Sequence, residues 1–181
     1  MSDVSAQPAG RDDFARIPAE DVDSVRRAVV VTASTRAAAG LYEDRSGAIV
    51  VDRLRAWGFE TPDAVVVSDG EATGAAMKIA LAAEPDLLVT TGGTGLRPDD
   101  RTPEVTRPLL EAEVPGIGEA IRAAGIAKGV PTAMLSRGLA GVVGGTLVVN
   151  LPGSTGGVRD ALDVLEDVVT HAVDQLRGGD H

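Results

Sequence analysis

An α/β domain is what this sequence predicts: a three-layer sandwich with a mostly parallel central sheet and helices on both faces. Short runs rich in Val, Leu or Thr alternate with longer stretches of helical period, the pattern of successive strand and helix units. Three of the runs are almost wholly apolar, as expected of strands covered on both faces. The chain also closes on a long apolar stripe that reads as a helix docked on the rest.

Residues 1–24 carry Asp3, Asp12, Asp13, Glu20, Asp21 and Asp23 with Pro8 and Pro18 and show no hydrophobic period, so they read as a disordered acidic tail. Residues 25–181 read as a single domain without internal repeat or linker. Ala28–Ser34 opens it as a strand. Ile49, Val50, Leu54 and Trp57 then recur at helical steps before Gly58, with Glu43 to Ser46 placed to cap a helix beginning near Ala48. A second strand is expected at Ala64–Ser68. Ala72, Ala75, Ala76, Ile79, Ala80 and Ala83 give a helix that stops before Pro85, and Leu87–Thr91 gives a third strand. Thr132–Ser136 and Thr146–Leu151 read as two more. One continuous helix carries Val158, Leu162, Leu165, Val169, Val173 and Leu176, closed by Gly178-Gly179.

Composition narrows the chemistry. Among 181 residues there is no cysteine, which removes disulfides, thiolate metal sites and a Cys nucleophile together. Only two histidines, His171 and His181, remain as imidazole bases or ligands. With aromatics at 2%, the core must be aliphatic, and Trp57 is most simply part of it. A formal charge of −10 argues against nucleic acid or an anionic membrane surface as partner. No apolar run approaches the roughly 20 residues that span a bilayer, and no signal segment is evident, so a cytoplasmic location is expected.

In open parallel sheets, ligands bind beyond the carboxyl ends of the strands. Four expected strand ends carry unusual loops. Thr90-Thr91-Gly92-Gly93-Thr94-Gly95 puts three glycines and hydroxyl donors where backbone amides can approach an anion, and Arg97, Asp100 and Arg101 follow. Thr102-Pro103-Glu104 reads as a helix N-cap with Pro at the first position. The loop is neither a P-loop nor a dinucleotide fingerprint. Ser68-Asp69-Gly70 supplies a second carboxylate, in its simplest reading a helix cap. Paired with Asp100, however, Asp69 would offer two hard oxygen ligands to Mg²⁺ beside a phosphate cradle. Asn150 to Gly157, with Pro152, Gly153 and Ser154, is a sharp turn into the last helix, and Ser136-Arg137 places a hydroxyl and a bidentate phosphate donor after an expected strand.

Together these segments resemble the MoaB/Mog family of molybdenum cofactor biosynthesis, a domain also found in plant Cnx proteins and at the N-terminus of gephyrin. Thr90 to Gly95, Asp100 to Glu104, Val114-Pro115-Gly116, Leu135-Ser136-Arg137, Asn150 to Ser154 and Glu43 to Gly47 carry the resemblance, over roughly residues 27–177. It implies a homotrimer that binds molybdopterin and, with Mg-ATP, adenylylates its terminal phosphate with release of pyrophosphate, alongside other molybdenum cofactor biosynthesis proteins. The family's two essential aspartates fall on Asp69 and Asp100. Ser34-Thr35 departs from the Ser-Asp of many members.

The expected mechanism needs no covalent nucleophile, because the attacking phosphate is already anionic. Asp69 and Asp100 hold Mg²⁺, and the loop from Thr91 through Gly92, Gly93, Thr94 and Gly95 cradles phosphate. Ser136, Arg137, Pro152, Gly153 and Ser154 are assigned to the pterin side. Alternatives are a pterin carrier without turnover, a nucleotide pyrophosphate hydrolase, and a pure scaffold.

Overall fold

The structure is a computed structural model describing residues 25–178; the acidic tail and His181 lie outside the described residues. Fifteen short elements follow in order, beginning with strand β1 (Ala28–Ala33), helix α1 (Thr35–Ala38), helix α2 (Arg45–Ala56), strand β2 (Val65–Val67), helix α3 (Glu71–Leu81) and strand β3 (Leu87–Thr91). Helix α4 (Thr102–Thr106) runs into a 3₁₀ turn at Arg107–Leu109, then strand β4 (Ala112–Glu113), helix α5 (Pro115–Ala127) and a second 3₁₀ turn at Pro131–Leu135. Strands β5 (Ala140–Val143) and β6 (Thr146–Leu151) precede helices α6 (Thr155–Glu166) and α7 (Val169–Leu176).

The sheet has six strands in the order β2-β1-β3-β6-β5-β4. The first four are parallel, and β5 runs antiparallel to both β6 and β4. Alternation along each strand divides two cores. Val30, Val89, Val149 and Leu151 face one side, where α2, α5, α6 and α7 supply Leu54, Ile121, Leu162 and Val173. Val31, Leu88 and Val148 face the other, against Met77 and Ala80 of α3. Burial on both faces explains why these strands read as continuous apolar runs. Since α2 and α3 lie on opposite faces, the connections diverge on either side of β1, and a crevice opens at the carboxyl ends of β1 and β3.

Three expectations are corrected. Thr132–Ser136 is not a strand: after Pro131 it winds as a 3₁₀ turn onto α5, where a Cβ at Gly125 would lie 2.6 Å from the Ala133 Cβ. Ala112–Glu113 and Ala140–Val143 are strands instead. The terminal stripe spans two helices, because Val168 N–H donates to Leu165 O and tightens the chain there while Leu165 and Val169 stay in one core. Helix α2 also starts earlier than expected, at Arg45, capped by Asp44 through the Gly47 amide.

At the opposite end of the sheet one carboxylate ties the strands to the last helix. Asp86 accepts from the Arg27 amide at 2.6 Å and from Arg177 Nε and Nη2 at 2.7 and 2.8 Å, while its own carbonyl accepts from Leu147. Burial pushes the Asp86 carboxyl up, but the Arg177 hydrogen bonds and the Arg27 amide outweigh it, so it sits below its ordinary 3.8. A depressed carboxyl stabilises the fold above its unfolded pKa, and that stabilisation is lost as pH falls through the folded value. Asp86→Asn is therefore expected to cost about 1–3 kcal/mol at pH 7. Urea unfolding across a pH series should show the gap from the parent closing below pH 3.8, and a gap independent of pH would exclude the charge as its source.

Candidate functional site

The crevice is lined by the segments that follow β1, β2, β3 and β6. At its base the β3 segment crosses the end of β1. Gly92 has φ +93°, and a Cβ there would lie 2.2 Å from the Ala33 carbonyl oxygen. Its amide donates to Leu151 O, and a Cβ on Gly153 would stand 3.1 Å from the Gly92 Cα. Thr91 Oγ1 donates to Pro152 O at 2.7 Å and Ser46 Oγ to Gly153 O at 2.8 Å, locking the turn after β6 to the same point. Ser154 caps α6 through the Gly157 amide.

Beyond Gly92, the amides of Gly93, Thr94 and Gly95 find no protein acceptor among the described residues. Ordered N–H groups left open in a glycine loop form a nest for anionic oxygen. Arg137 fixes this loop from behind: Nε donates to Gly95 O at 2.7 Å, Nη2 to Asp100 O, and Nη1 pairs with Glu104. The Arg137 hydrogen bond holds the Glu104 carboxyl below its ordinary value. The guanidinium expected to bind phosphate is thus engaged with the loop. Ser136 Oγ reaches Thr94 Oγ1 at 3.3 Å.

Asp69 does not cap α3, whose N-cap is Gly70 at φ +82° with no side-chain bond. Its Oδ2 instead accepts from the amide and the hydroxyl of Thr35, both at 2.9 Å. Asp100 Oδ2 accepts from the Arg97 amide at 2.9 Å. Among the described residues no donor reaches the Oδ1 atom of either aspartate.

Thr102 is corrected as well: Arg101 occupies the N-cap and Thr102 lies one position inside α4, a helix of five residues. Its amide donates to Gly93 O, and its Oγ1 is buried without a hydrogen-bond partner. A Cβ added to Gly93 would lie 2.3 Å from that hydroxyl and 2.9 Å from Asp69 Oδ1. The orphan hydroxyl and the open carboxylate oxygen therefore converge above a glycine that only hydrogen keeps clear.

Two clefts meet here, sharing Gly93, Asp100 and Gly153. One, of about 600 Å³, is lined by Thr94, Gly95, Ser136, Pro152 and Ser154, with Ile121, Val130 and Leu135 as its apolar wall. The other, of about 440 Å³, is polar and contains Asp69, Thr91 and Gly92. Of the twelve residues given a metal, phosphate or pterin role from sequence, all but Arg137 line one cleft or both. Sequence reasoning noted Thr35 only as a departure from Ser-Asp and missed Arg36 and Tyr42 on the β1 side and the α5 wall. The Pro115-Gly116 start was the one signal for that helix.

No group of three His, Cys, Asp or Glu suited to a metal occurs among the described residues. Two carboxylate oxygens and a hydroxyl do fit a hard cation whose remaining positions come from water and phosphate, with the open amides suited to the phosphate. No helix among the described residues is long and apolar enough to cross a membrane. His171 is exposed on α7, away from both clefts.

Residues 29–171 match the family described as "Probable molybdopterin binding domain". A molybdopterin adenylyltransferase from Helicobacter pylori is 35% identical over 153 residues, covering 82% of this chain and 86% of that protein. A molybdenum cofactor biosynthesis bifunctional protein from Synechococcus elongatus is 41% identical over 155 residues, covering 85% of this chain and 48% of the relative. The chain thus spans about half the length of the bifunctional relatives it matches. The molybdopterin biosynthesis Mog protein from Mycobacterium ulcerans superposes with TM-score 0.80 at 53% identity, covering 83% of this chain and 99% of that one. MoaB from Thermus thermophilus superposes with TM-score 0.75 at 39% identity, covering 84% and 97%. The chain belongs to the molybdopterin-binding domain family of molybdenum cofactor biosynthesis.

Proposed function

We propose that this chain binds molybdopterin and transfers an adenylyl group from Mg-ATP to its terminal phosphate, releasing pyrophosphate. The observation that carries the reading is the pair of clefts meeting at Gly93 and Asp100. The larger, with its apolar wall, suits a flat pterin; the polar one, with both aspartates, suits a triphosphate and cation. Their junction is where two phosphates would meet. The name of the Helicobacter pylori relative supports the same chemistry.

The chain's own residues supply position and charge compensation. Amides of Gly93, Thr94 and Gly95 donate to phosphate oxygen, and Ser136, Pro152, Gly153 and Ser154 border the pterin. Arg137 acts on the anion through the loop that it clamps. Asp69 and Asp100 would hold Mg²⁺, with Thr102 Oγ1 beside Asp69. When bound, the cation neutralises repulsion between the acceptor phosphate and the triphosphate. An oxygen of the acceptor phosphate bonds to the α-phosphorus, the bond from that phosphorus to the bridging oxygen breaks, and pyrophosphate leaves with the electron pair. Positioning two anions in line needs neither a side-chain nucleophile nor a strong base. On the same reading, and from the family resemblance, the protein works as a cytoplasmic homotrimer alongside other enzymes of the pathway.

Asp100→Asn should fold as the parent does and lose at least about 100-fold in adenylyl transfer. The assay resolves adenylylated pterin, AMP and pyrophosphate. An unimpaired rate would remove the metal role, tight pterin binding without product would make the parent a carrier, and AMP formed without pterin would make it a hydrolase.

Thr102→Val separates binding from folding. Deleting an unpaired buried hydroxyl at constant shape relieves a desolvation cost of about 1–3 kcal/mol. The ligand-free variant should melt at or above the parent, while the rise in Tm on adding Mg-ATP shrinks. A less stable variant with full Mg-ATP protection would make the hydroxyl purely structural.

A further inference from the structure

The polar cleft contains an arginine that the mechanism above does not use. Asp44, Asp69, Asp99 and Asp100 line it, so a triphosphate entering with a single divalent cation would face a strongly acidic wall. Arg36 and Arg97 are the cations lining it. Arg97 pairs with Asp99 at 3.2 Å, with side-chain exposures of 79% and 52%. Arg137 is committed to the glycine loop. No acceptor among the described residues takes a hydrogen bond from the Arg36 guanidinium, whose carbon stands 5.3 Å from the centre of the Tyr42 ring.

An unpaired surface arginine is usually no more than solvated. This one is held in a built turn. Ser34 Oγ accepts from the Ala37 amide and lies 2.8 Å from the Tyr42 hydroxyl. Leu41 N–H donates to Arg36 O at 3.0 Å, and Gly40 turns the chain at φ +70°. Tyr42 is thereby pinned to the turn that carries Arg36, with its ring centre 5.3 Å from the guanidinium carbon, within cation–π range. A guanidinium without a protein acceptor keeps its N–H groups available for bidentate binding of phosphate. The next residue back, Thr35, fixes Asp69, so the arginine and the carboxylate are set by one four-residue helix.

We propose that Arg36, stacked on Tyr42, binds the pyrophosphate portion of the nucleoside triphosphate and steadies it as the leaving group. The inference rests on the nucleotidyl-transfer reading and assigns one end of its substrate. As the bond from the α-phosphorus to the bridging oxygen breaks, negative charge grows on the departing pyrophosphate, and the Arg36 N–H groups donate to its oxygens without giving up a proton.

The test uses the full chain and Mg-pyrophosphate as probe, measured by calorimetry, beside steady-state kinetics with ATP and molybdopterin. Arg36→Gln, an exposed change that leaves the core intact, should weaken Mg-pyrophosphate binding and lower kcat/KM for ATP by about 10–100-fold, with molybdopterin affinity within about twofold of the parent. Arg36→Lys should recover part of the loss, since it keeps charge without the fork, and Tyr42→Ala should fall between Lys and Gln. Parent affinity for Mg-pyrophosphate in Arg36→Gln overturns the proposal. A parent protein that binds Mg-pyrophosphate through Arg36 yet adenylylates no pterin upholds the phosphate site and overturns the transfer reading alone.

Discussion

Three parallel strands end at one level, and the site exists because the middle one turns across its neighbour there. The registers pair Thr32 with Thr91 and Thr91 with Leu151, so the residues that follow are Ala33, Gly92 and Pro152. Any side chain at Gly92 would enter the Ala33 carbonyl, and the backbone at φ +93° is one that L residues rarely adopt. Those two demands admit only glycine, and the downstream geometry inherits its position. The nest of amides, the Thr91 bond to Pro152 and the close packing of Gly153 all depend on this crossing. The crevice is a consequence of topology, and glycine lets the chain use it.

Once the loop has turned, its shape is held by hydrogen bonds from residues outside it. Arg137 bonds two loop carbonyls and Glu104, and the Ser136 hydroxyl touches Thr94. Across the crevice Thr35 gives two donors to a single oxygen of Asp69. A carboxylate fixed at one oxygen presents the other in a defined direction, which is what positions a cation without loss of side-chain entropy at binding. The departure from Ser-Asp at Thr35 therefore has a physical meaning here: this chain holds Asp69 with a hydroxyl and an amide.

Most of the architecture was legible because burial on both faces leaves a plain signature. β1, β3 and β6 sit within the runs of Val and Leu expected to be strands, and the Gly-rich and Asp-bearing loops fall at their carboxyl ends. What failed was structure whose signal is short or shared. Thr132–Ser136 has the composition of a strand but no ladder partner, since Pro131 and the approach of Ala133 to Gly125 turn it onto α5. β5 is small-residue chain in which Gly141 lets β4 approach, a Cβ there lying 2.4 Å from Ala112 O. A break between α6 and α7 is invisible to periodicity, because both bury one stripe. In the site, residue types pointed to Asp69, Asp100 and the glycines, which the fold gathers at the crevice. They could not distinguish an arginine clamping a loop from one lining a cleft without a protein acceptor, since Arg36 and Arg137 differ only in what the fold brings beside them.

The distribution of unmet bonds reconciles an acidic chain with an anion site. A formal charge of −10 sets a repulsive field at long range, but solvent and salt screen it within about 8–10 Å. At contact distance the open amides of Gly93 to Gly95 and the unpaired Arg36 and Thr102 side chains offer donors, while the open oxygens of Asp69 and Asp100 offer negative charge. Phosphate and a divalent ion together satisfy both sets, and either alone leaves one set unmatched. An unpaired buried hydroxyl persists in the free protein because the two apolar cores supply stability elsewhere, and ligand that completes these bonds adds to stability by mass action. On the proposed function, binding and folding are coupled through one cluster of atoms at the end of β1 and β3. On the same reading, selectivity for a metal-bound phosphate over a free one follows from the signs of those atoms and needs no net positive charge.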